Sequence, residues 1–304
     1  MKTSQRLDVF LSAKYKISRT AAKQKIENGL ITVNQKIVTR PNYAVSENDL
    51  IDCNQNDIKN NEQLSKKNNE LKPWKKNLKI VYEDDYIFVI DKPNNIIVHP
   101  TNYETDKTLA NIIKYLFEVK NIKTFGDKLR MGIVHRLDKD TTGLIIVAKN
   151  EKSYNEFVDL FISKKIIKKY LALLHGHLKT KTVEVQAPIK RIDNTNKREV
   201  SKDLDAKEAI TIFKEIKKYN NFTLAEVELL TGRTHQIRVH AEFIKNNVIN
   251  DPVYGVKHIN KTTNFGQYLM ASELSFNHPF LKKEIKIKLD LSKEFKEYID
   301  KYGK

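Results

Sequence analysis

Between Asn54 and Asn77 the chain reads NQNDIKNNEQLSKKNNELKPWKKN, a polar stretch rich in Asn and Lys with no periodic apolar positions. Such a segment has too little apolar surface to join a core, so it marks a linker. It divides the 304 residues into a front unit, 1–53, and a rear unit, 78–304. Leu, Ile, Val and Phe recur through both flanks and 40% of the chain is hydrophobic, as packed domains require. The rear unit is long enough to bury a large core of its own.

Charge narrows the partners. Fifty-five Lys and Arg against 38 Asp and Glu leave a formal +17, which concentrates anions around the molecule and puts nucleic acid first. Through Asn77 there are 15 basic and 8 acidic residues, a net +7, so the front quarter is the denser cation. A solvated basic surface without a partner stays open on charge alone. Cys53 is the sole cysteine, so no intramolecular disulfide forms, and no Cys and His cluster has metal-ligand spacing. The opening MKTSQRLDVFLSAKYK has no secretory apolar run, and no stretch nears the roughly 18 apolar residues of a membrane span. These features predict a soluble cytoplasmic protein without a membrane partner.

In the front unit, Ser18 is placed to cap a helix that carries Arg19 and Lys23 on one face and stops at Gly29. LITVNQKIV then reads as two strands about a turn at Asn34 and Gln35. A basic helix on a small hairpin can track phosphates, and the same pattern also fits an ordinary solvated face. The segment RLDVFLSAKYKISRTAAKQKIENGLITVNQKIVTRPNYAVSENDLI resembles an S4-like RNA-binding domain, a small α/β module, and departs from it at Gln35, where Gly is usual. That resemblance implies that Arg19 and Lys23 contact structured RNA.

The rear unit opens with LKIVYEDDYIFVIDKPNNIIVHP, two apolar strands around a polar turn, followed by a helical stretch near Leu109 to Phe117. In RMGIVHRLDKDTTGLIIVAKN the run LIIVA is a buried strand by length and branching. His135, Arg136, Leu137 and Asp138 therefore lie on its approach, with Thr141, Thr142 and Gly143 in its turn. Arg136 and Asp138 in that place also fit a structural ion pair. Tyr154, Phe157, Val158 and Phe161 recur at helical spacing, and the following YLALL alternates as a strand opened by Tyr170. In LAEVELLTGRTHQIRVHAEFIKNNVINDPVYG a strand runs to Thr231 and Gly232, after which a helix is expected to present Arg233, His235, Arg238 and His240. Helical spacing does not put all four on one face.

The strings H-R-L-D-K-D-T-T-G-L and T-G-R-T-H-Q-I-R-V-H are similar to signatures of the RluA and RluD type of RNA pseudouridine synthases, and with the opening DKPNNIIVHP they span most of residues 78 to 295. The resemblance implies an α+β fold with a mixed, mostly antiparallel sheet and a central cleft. It assigns Asp138 as the catalytic carboxylate, Tyr170 as the ring that stacks on the target base, and Arg238 as the partner of the Asp. It assigns Arg136 to the gap left by an extruded base, and leaves Arg233 facing phosphate or structure. Asn250 stands where Gly is usual before Asp-Pro, and Asn94 and Asn95 replace small residues after Lys-Pro.

Converting uridine to pseudouridine breaks the N1–C1′ bond, turns the uracil and joins C5 to the same carbon, with no net redox change, so no cofactor is implied. Asp138 either adds to the sugar carbon or takes a proton from C2′. The implied substrate is structured RNA, foremost large-subunit (23S) ribosomal RNA or its precursor, acted on by a monomer. The same chemistry on transfer RNA, and a non-catalytic ribosome-assembly protein, are the alternatives.

Overall fold

The computed structural model describes residues 5–15, 17, 19–46, 49–53, 71–101, 103–193, 195–256 and 265–304. The chain divides into two compact units, Met1–Glu70 and Leu71–Lys304.

In the front unit, helices α1 (Leu7–Tyr15) and α2 (Arg19–Glu27) close over short antiparallel strands. Strand β1 (Gln5–Arg6) pairs with β4 (Ala44–Val45), and β2 (Ile31–Val33) lies between β3 (Lys36–Ile37) and β5 (Ile51–Cys53). Leu7, Leu11, Ala22, Ile26, Ile31 and Val33 are among the residues of its core. Helix α1 is an addition to the elements expected from sequence, and its Leu7 and Leu11 stand four apart on the buried face. Helix α2 ends as expected, with Gly29 at φ 71°; the Ser18 cap lies outside the described residues. Asn34 and Gln35 both adopt left-handed backbone, φ 50° and 67°, as a two-residue hairpin turn demands. Replacing the usual Gly with Gln35 therefore leaves the turn intact. The Asn34 side chain helps offset the strain, accepting the Leu50 N–H at 2.9 Å and donating to Asp49 at 2.8 Å.

The rear unit is built on one sheet. Its strands are β6 (Lys79–Glu83), β7 (Ile87–Lys92), β8 (Thr142–Ala148), β9 (Ile167–His175), β10 (Thr182–Gln186), β13 (Ile210–Lys218), β14 (Phe222–Leu229), β15 (Leu269–Asn277) and β16 (Glu284–Lys288), with β11 (Ile189–Arg191) and β12 (Arg198–Val200) forming a separate hairpin. The spatial order is β10-β13-β14-β9-β15-β8-β7-β6, with β16 added on β15. Among these pairings only β8 with β15 is parallel. The sheet is mixed and mostly antiparallel, as expected, and with its helices gives an α+β fold.

Alternation of side chains explains why the central strands read as unbroken apolar runs. Ile87, Val89, Leu144 and Ile146 face one side, where α4 (Glu151–Ile162) and α6 (Lys293–Tyr302) supply Phe157, Phe295 and Tyr298. Phe88, Ile90, Ile145 and Val147 face the other and meet Leu109, Ile113 and Phe117 of α3 (Leu109–Val119). Each such side chain contributes about 1.5–3 kcal/mol by leaving water. Further along that second face, α5 (Gln236–Phe243) sets Ile237 and Ala241 against Tyr170, Ala172 and Val227.

Two details differ from the sequence reading. Residues 71–77, read there as the end of the linker, pack on the rear unit: Leu71 is buried, the Trp74 N–H donates to the Asn111 carbonyl, and the Asn111 amide donates to the Lys72 carbonyl. Single anchors of this kind carry no periodicity and so escape a pattern search. Tyr170 sits in the middle of β9 rather than opening it, because the two preceding lysines also alternate across the sheet.

The register carries the fold to the site. Phe213, Val227, Tyr170, Ala271, Gly143 and Lys92 lie opposite one another in six successive strands. At Gly143, φ is 104° and a side chain would meet the Ala271 carbonyl oxygen at 2.2 Å. Glycine is what lets β8 approach β15 here, and it sets the loop before β8 over Tyr170.

Candidate active site

The loop carrying Asp138 is fixed at both ends. On entry, Ile133 bridges Val147, and the His135 Nε2 accepts the Ile146 N–H at 2.9 Å. Burial pushes the His135 imidazole down to about 3, so the ring is neutral with its proton on Nδ1, and it packs tilted against the Phe161 ring at 4.4 Å. On exit, the Thr141 N–H returns to the Asp138 carbonyl, and Gln267 donates to the Thr141 hydroxyl at 2.8 Å.

Beneath the loop lies Lys92, read from sequence only as part of the scaffold. It is fully buried and donates to the carbonyls of Pro93, Ile96 and Lys139, each at 2.9 Å. An ammonium group has three N–H donors, and here three carbonyls receive them. Burial pushes its pKa down to about 7, against the pull of Asp140 and Asp138. We expect Lys92→Met to orphan buried carbonyls and lower unfolding stability by about 1–3 kcal/mol. Urea denaturation checks this, and an unchanged midpoint would remove Lys92 from the account.

Asp138 looks onto a cleft of about 820 Å³ lined also by Arg136, Tyr170, Arg233, His235 and Arg238. Its Oδ2 accepts from the Arg238 Nη1 at 2.9 Å, and His235 Nε2 stands 3.9 Å from its Oδ1. The Asp138 side chain remains 21% exposed, so it is reachable from the cleft. Arg238 is buried, and its remaining donors are held elsewhere: Nε and Nη2 form a two-pronged pair with Asp251 at 2.6 and 2.8 Å. Although burial opposes it, the Asp251 and then the Asp138 carboxylates raise the Arg238 pKa and keep the guanidinium charged.

Asp251 is wholly buried, and its Oδ1 also accepts the N–H groups of Val253 and Tyr254. Tyr254 lies with the Arg238 guanidinium 5.0 Å above its ring, and its hydroxyl accepts the Arg198 N–H and meets His235 Nδ1 at 2.9 Å. The sequence reading assigned no role to Asp251, His235 or Tyr254. Asp251 and Tyr254 fall in the string NDPVYG, whose turn is closed by the Asp251 Oδ1 accepting the Val253 and Tyr254 N–H groups, a contact that no periodicity marks. Asn250 takes φ 59° and donates to the Gly266 carbonyl, so Asn serves at the left-handed position where Gly is usual.

The expected helix over Arg233, His235, Arg238 and His240 is shorter: α5 starts at Gln236, and Arg233 and His235 belong to the turn before it. The turn folds around the buried Gln236 side chain, which accepts from the Arg233 N–H and the Thr231 hydroxyl and donates to Ile210 and Thr211. A side chain that saturates four backbone and hydroxyl groups replaces the helical ladder here. His240 is buried and structural, bonded to Thr211 and the Ala187 carbonyl.

Tyr170 is buried, with its pKa pushed up by burial and then by Asp138, so it stays a neutral phenol. Arg136 is exposed at the cleft, and Arg233 lines it while its Nε donates to the Glu208 carbonyl. The structure thus brings Asp138, Tyr170, Arg238, Arg136 and Arg233 to one cleft. In the front unit, Lys23 is solvent-exposed and pairs with Glu27 at 3.5 Å; Arg19 lies in α2, and its side chain is outside the described residues. Among the described residues no group of three His, Cys, Asp or Glu is placed to hold a metal ion, and no helix is long and apolar enough to cross a membrane.

Comparison with known proteins gives these features a context. Residues 86–243 match the family described as RNA pseudouridylate synthase, and residues 5–51 match the S4 domain. An uncharacterized RNA pseudouridine synthase of Mycoplasma pneumoniae is 37% identical over 98% of this chain and 93% of its own length. The ribosomal large subunit pseudouridine synthase D of Buchnera aphidicola subsp. Baizongia pistaciae is 34% identical over 91% of this chain and 86% of its own. Among solved structures, human RNA pseudouridylate synthase domain containing 1 superposes with a TM-score of 0.59 at 23% identity, covering 73% of this chain and 86% of that one, a likeness of fold.

Proposed function

The chain belongs to the RNA pseudouridine synthase family of isomerases, and from that premise we propose that it converts uridines of large-subunit (23S) ribosomal RNA to pseudouridine in the cytoplasm, with Asp138 as the catalytic carboxylate. The observation that carries this reading is the ion pair of Asp138 with Arg238 inside a cleft that also presents Tyr170. The 34% identity to a synthase named for the ribosomal large subunit, together with the S4 domain, supports the substrate.

In this reading the target uridine leaves its stack, at a cost of a few kcal/mol, and Arg136 occupies the space it vacates. The uracil rests on the Tyr170 ring, whose neutral phenol adds no charge beside the base. Asp138 works at the sugar, adding to C1′ or taking the C2′ proton, while Arg238 holds its other oxygen. The apolar wall of Leu137, Ile237 and Leu269 keeps the detached base turning in place and limits water that would trap the intermediate. Arg19, Lys23 and Arg233 contact phosphate, with the salt dependence that counterion release imposes.

Forming the new bond expels the hydrogen at C5. An unmodified large-subunit rRNA transcript labelled with tritium at uridine C5 is therefore expected to release tritium to water when incubated with the protein and no additive. Release from transfer RNA but not from rRNA would move the substrate. Release from neither would leave RNA binding without isomerisation.

A further inference from the structure

Two neighbouring lysines on β9 have opposite surroundings. Lys169 points away from the cleft side, donates to Glu226 at 3.1 Å and has Glu273 and Glu228 nearby, so its charge is already answered. Lys168 lies on the Tyr170 side, two residues before it on the same strand, and lines the cleft that holds Asp138. It is half-buried, its Nζ 5.8 Å from the Phe161 ring centre. On its other side is Gly232, where a β-carbon would come within 3.6 Å of the Nζ. Among the described residues no carboxylate pairs with it, and burial and then Lys164 lower its pKa. A cation stripped of part of its water and given no counter-charge is costly to keep. Such a group at the wall of a substrate cleft is matched by an anion that arrives with the substrate.

We propose that Lys168 is a phosphate-binding residue that grips a backbone phosphodiester of the RNA beside the uridine held on Tyr170. The inference rests on the reading that RNA enters this cleft. Two residues along a strand separate Lys168 from Tyr170 by about 7 Å, which suits a base on the ring and its sugar-phosphate at the amine. Gly232 leaves the approach open, and exposed Lys164 adds like charge at the rim without blocking it.

The test is the salt dependence of binding to single-stranded oligouridylate, measured in an Asp138→Asn background so that no turnover intervenes. Lys168→Met and Lys168→Gln are each expected to weaken binding about ten-fold at low salt and to reduce the slope of log affinity against log salt by about 0.7, one single-strand phosphate. Lys168→Arg is expected to keep the slope. Lys169→Gln is expected to leave it unchanged, since that lysine is already neutralised by Glu226. Because no partner is orphaned, the thermal midpoint of Lys168→Met is expected to equal or exceed that of the parent. An unchanged slope in both neutral variants, or a midpoint drop in Lys168→Met with the slope retained, would overturn the assignment and make Lys168 structural. Failure of the tritium assay would count against the isomerase reading alone, because the slope is read without turnover.

Discussion

Asp138→Asn is expected to abolish isomerisation while RNA binding survives. An amide of the same size still accepts from the Arg238 Nη1, so the 2.9 Å contact and the cleft wall persist. What disappears is the charge and basicity needed at C1′ or C2′. Losses of a nucleophile or base of this kind run to about 10⁴-fold or more. Single-turnover tritium release measures the chemistry, and filter binding of the same transcript measures affinity, expected to stay within a few-fold. A variant that keeps turnover would sink the assignment to Asp138. A variant that loses binding in parallel would show that the substitution damages the cleft rather than the reaction.

The second large effect concerns the charges that hold Arg238. Its guanidinium stands between two carboxylates, one reachable and one wholly buried. Arg238→Met removes the two-pronged partner of the wholly buried Asp251, and breaking a buried pair in this way costs about 3–5 kcal/mol. Activity falls as well, because Asp138 loses the donor that fixes its orientation. Adding Asp251→Asn to that variant removes the buried carboxylate charge and is expected to restore much of the stability but none of the turnover. Urea unfolding of the two single variants and the double variant, set beside their single-turnover rates, separates the two roles. If the double variant is no more stable than Arg238→Met alone, the buried pair is not what holds this part of the fold.

These expectations show which parts of the site a linear reading reaches. The HRLD loop and its strand were legible because a run of branched residues fixes β8 and the polar string before it has nowhere to go but its entrance. Arg238 was legible through the TGRTHQIRVH string. Asp251 and Tyr254 were not, because their work depends on a turn that brings residue 251 back to α5. No periodicity encodes that return. Lys92 escaped for a related reason: a lysine at the end of a strand usually reaches solvent, and only the packed sheet shows three carbonyls converging on its amine. The start of α5 was misplaced because Gln236 satisfies the preceding turn through its side chain, which mimics a helical continuation in sequence. In the front unit, the apolar spacing of Leu7 and Leu11 fits α1, which the reading of helix and hairpin from Ser18 onward does not include.

The fold explains why the site residues, scattered over a hundred positions, meet. Tyr170 and Gly143 flank Ala271 in one row of the sheet, and Asp138 stands five residues before that glycine. Helix α5 packs its Ile237 and Ala241 into the same core cluster as Tyr170, which delivers Arg238 from the other side. Precision comes from rigid strands and a buried helix, with the Lys139 carbonyl of the loop held by the buried Lys92 amine beneath it.

The measurement that bears most directly on the central claim is pseudouridine mapping by carbodiimide-dependent reverse-transcription stops on unmodified large-subunit rRNA, run with the wild-type protein beside Asp138→Asn. New stops are expected at discrete uridines with the wild type and none with the variant. Identical stop patterns with both proteins, or none with either under conditions where both bind the RNA, would contradict it.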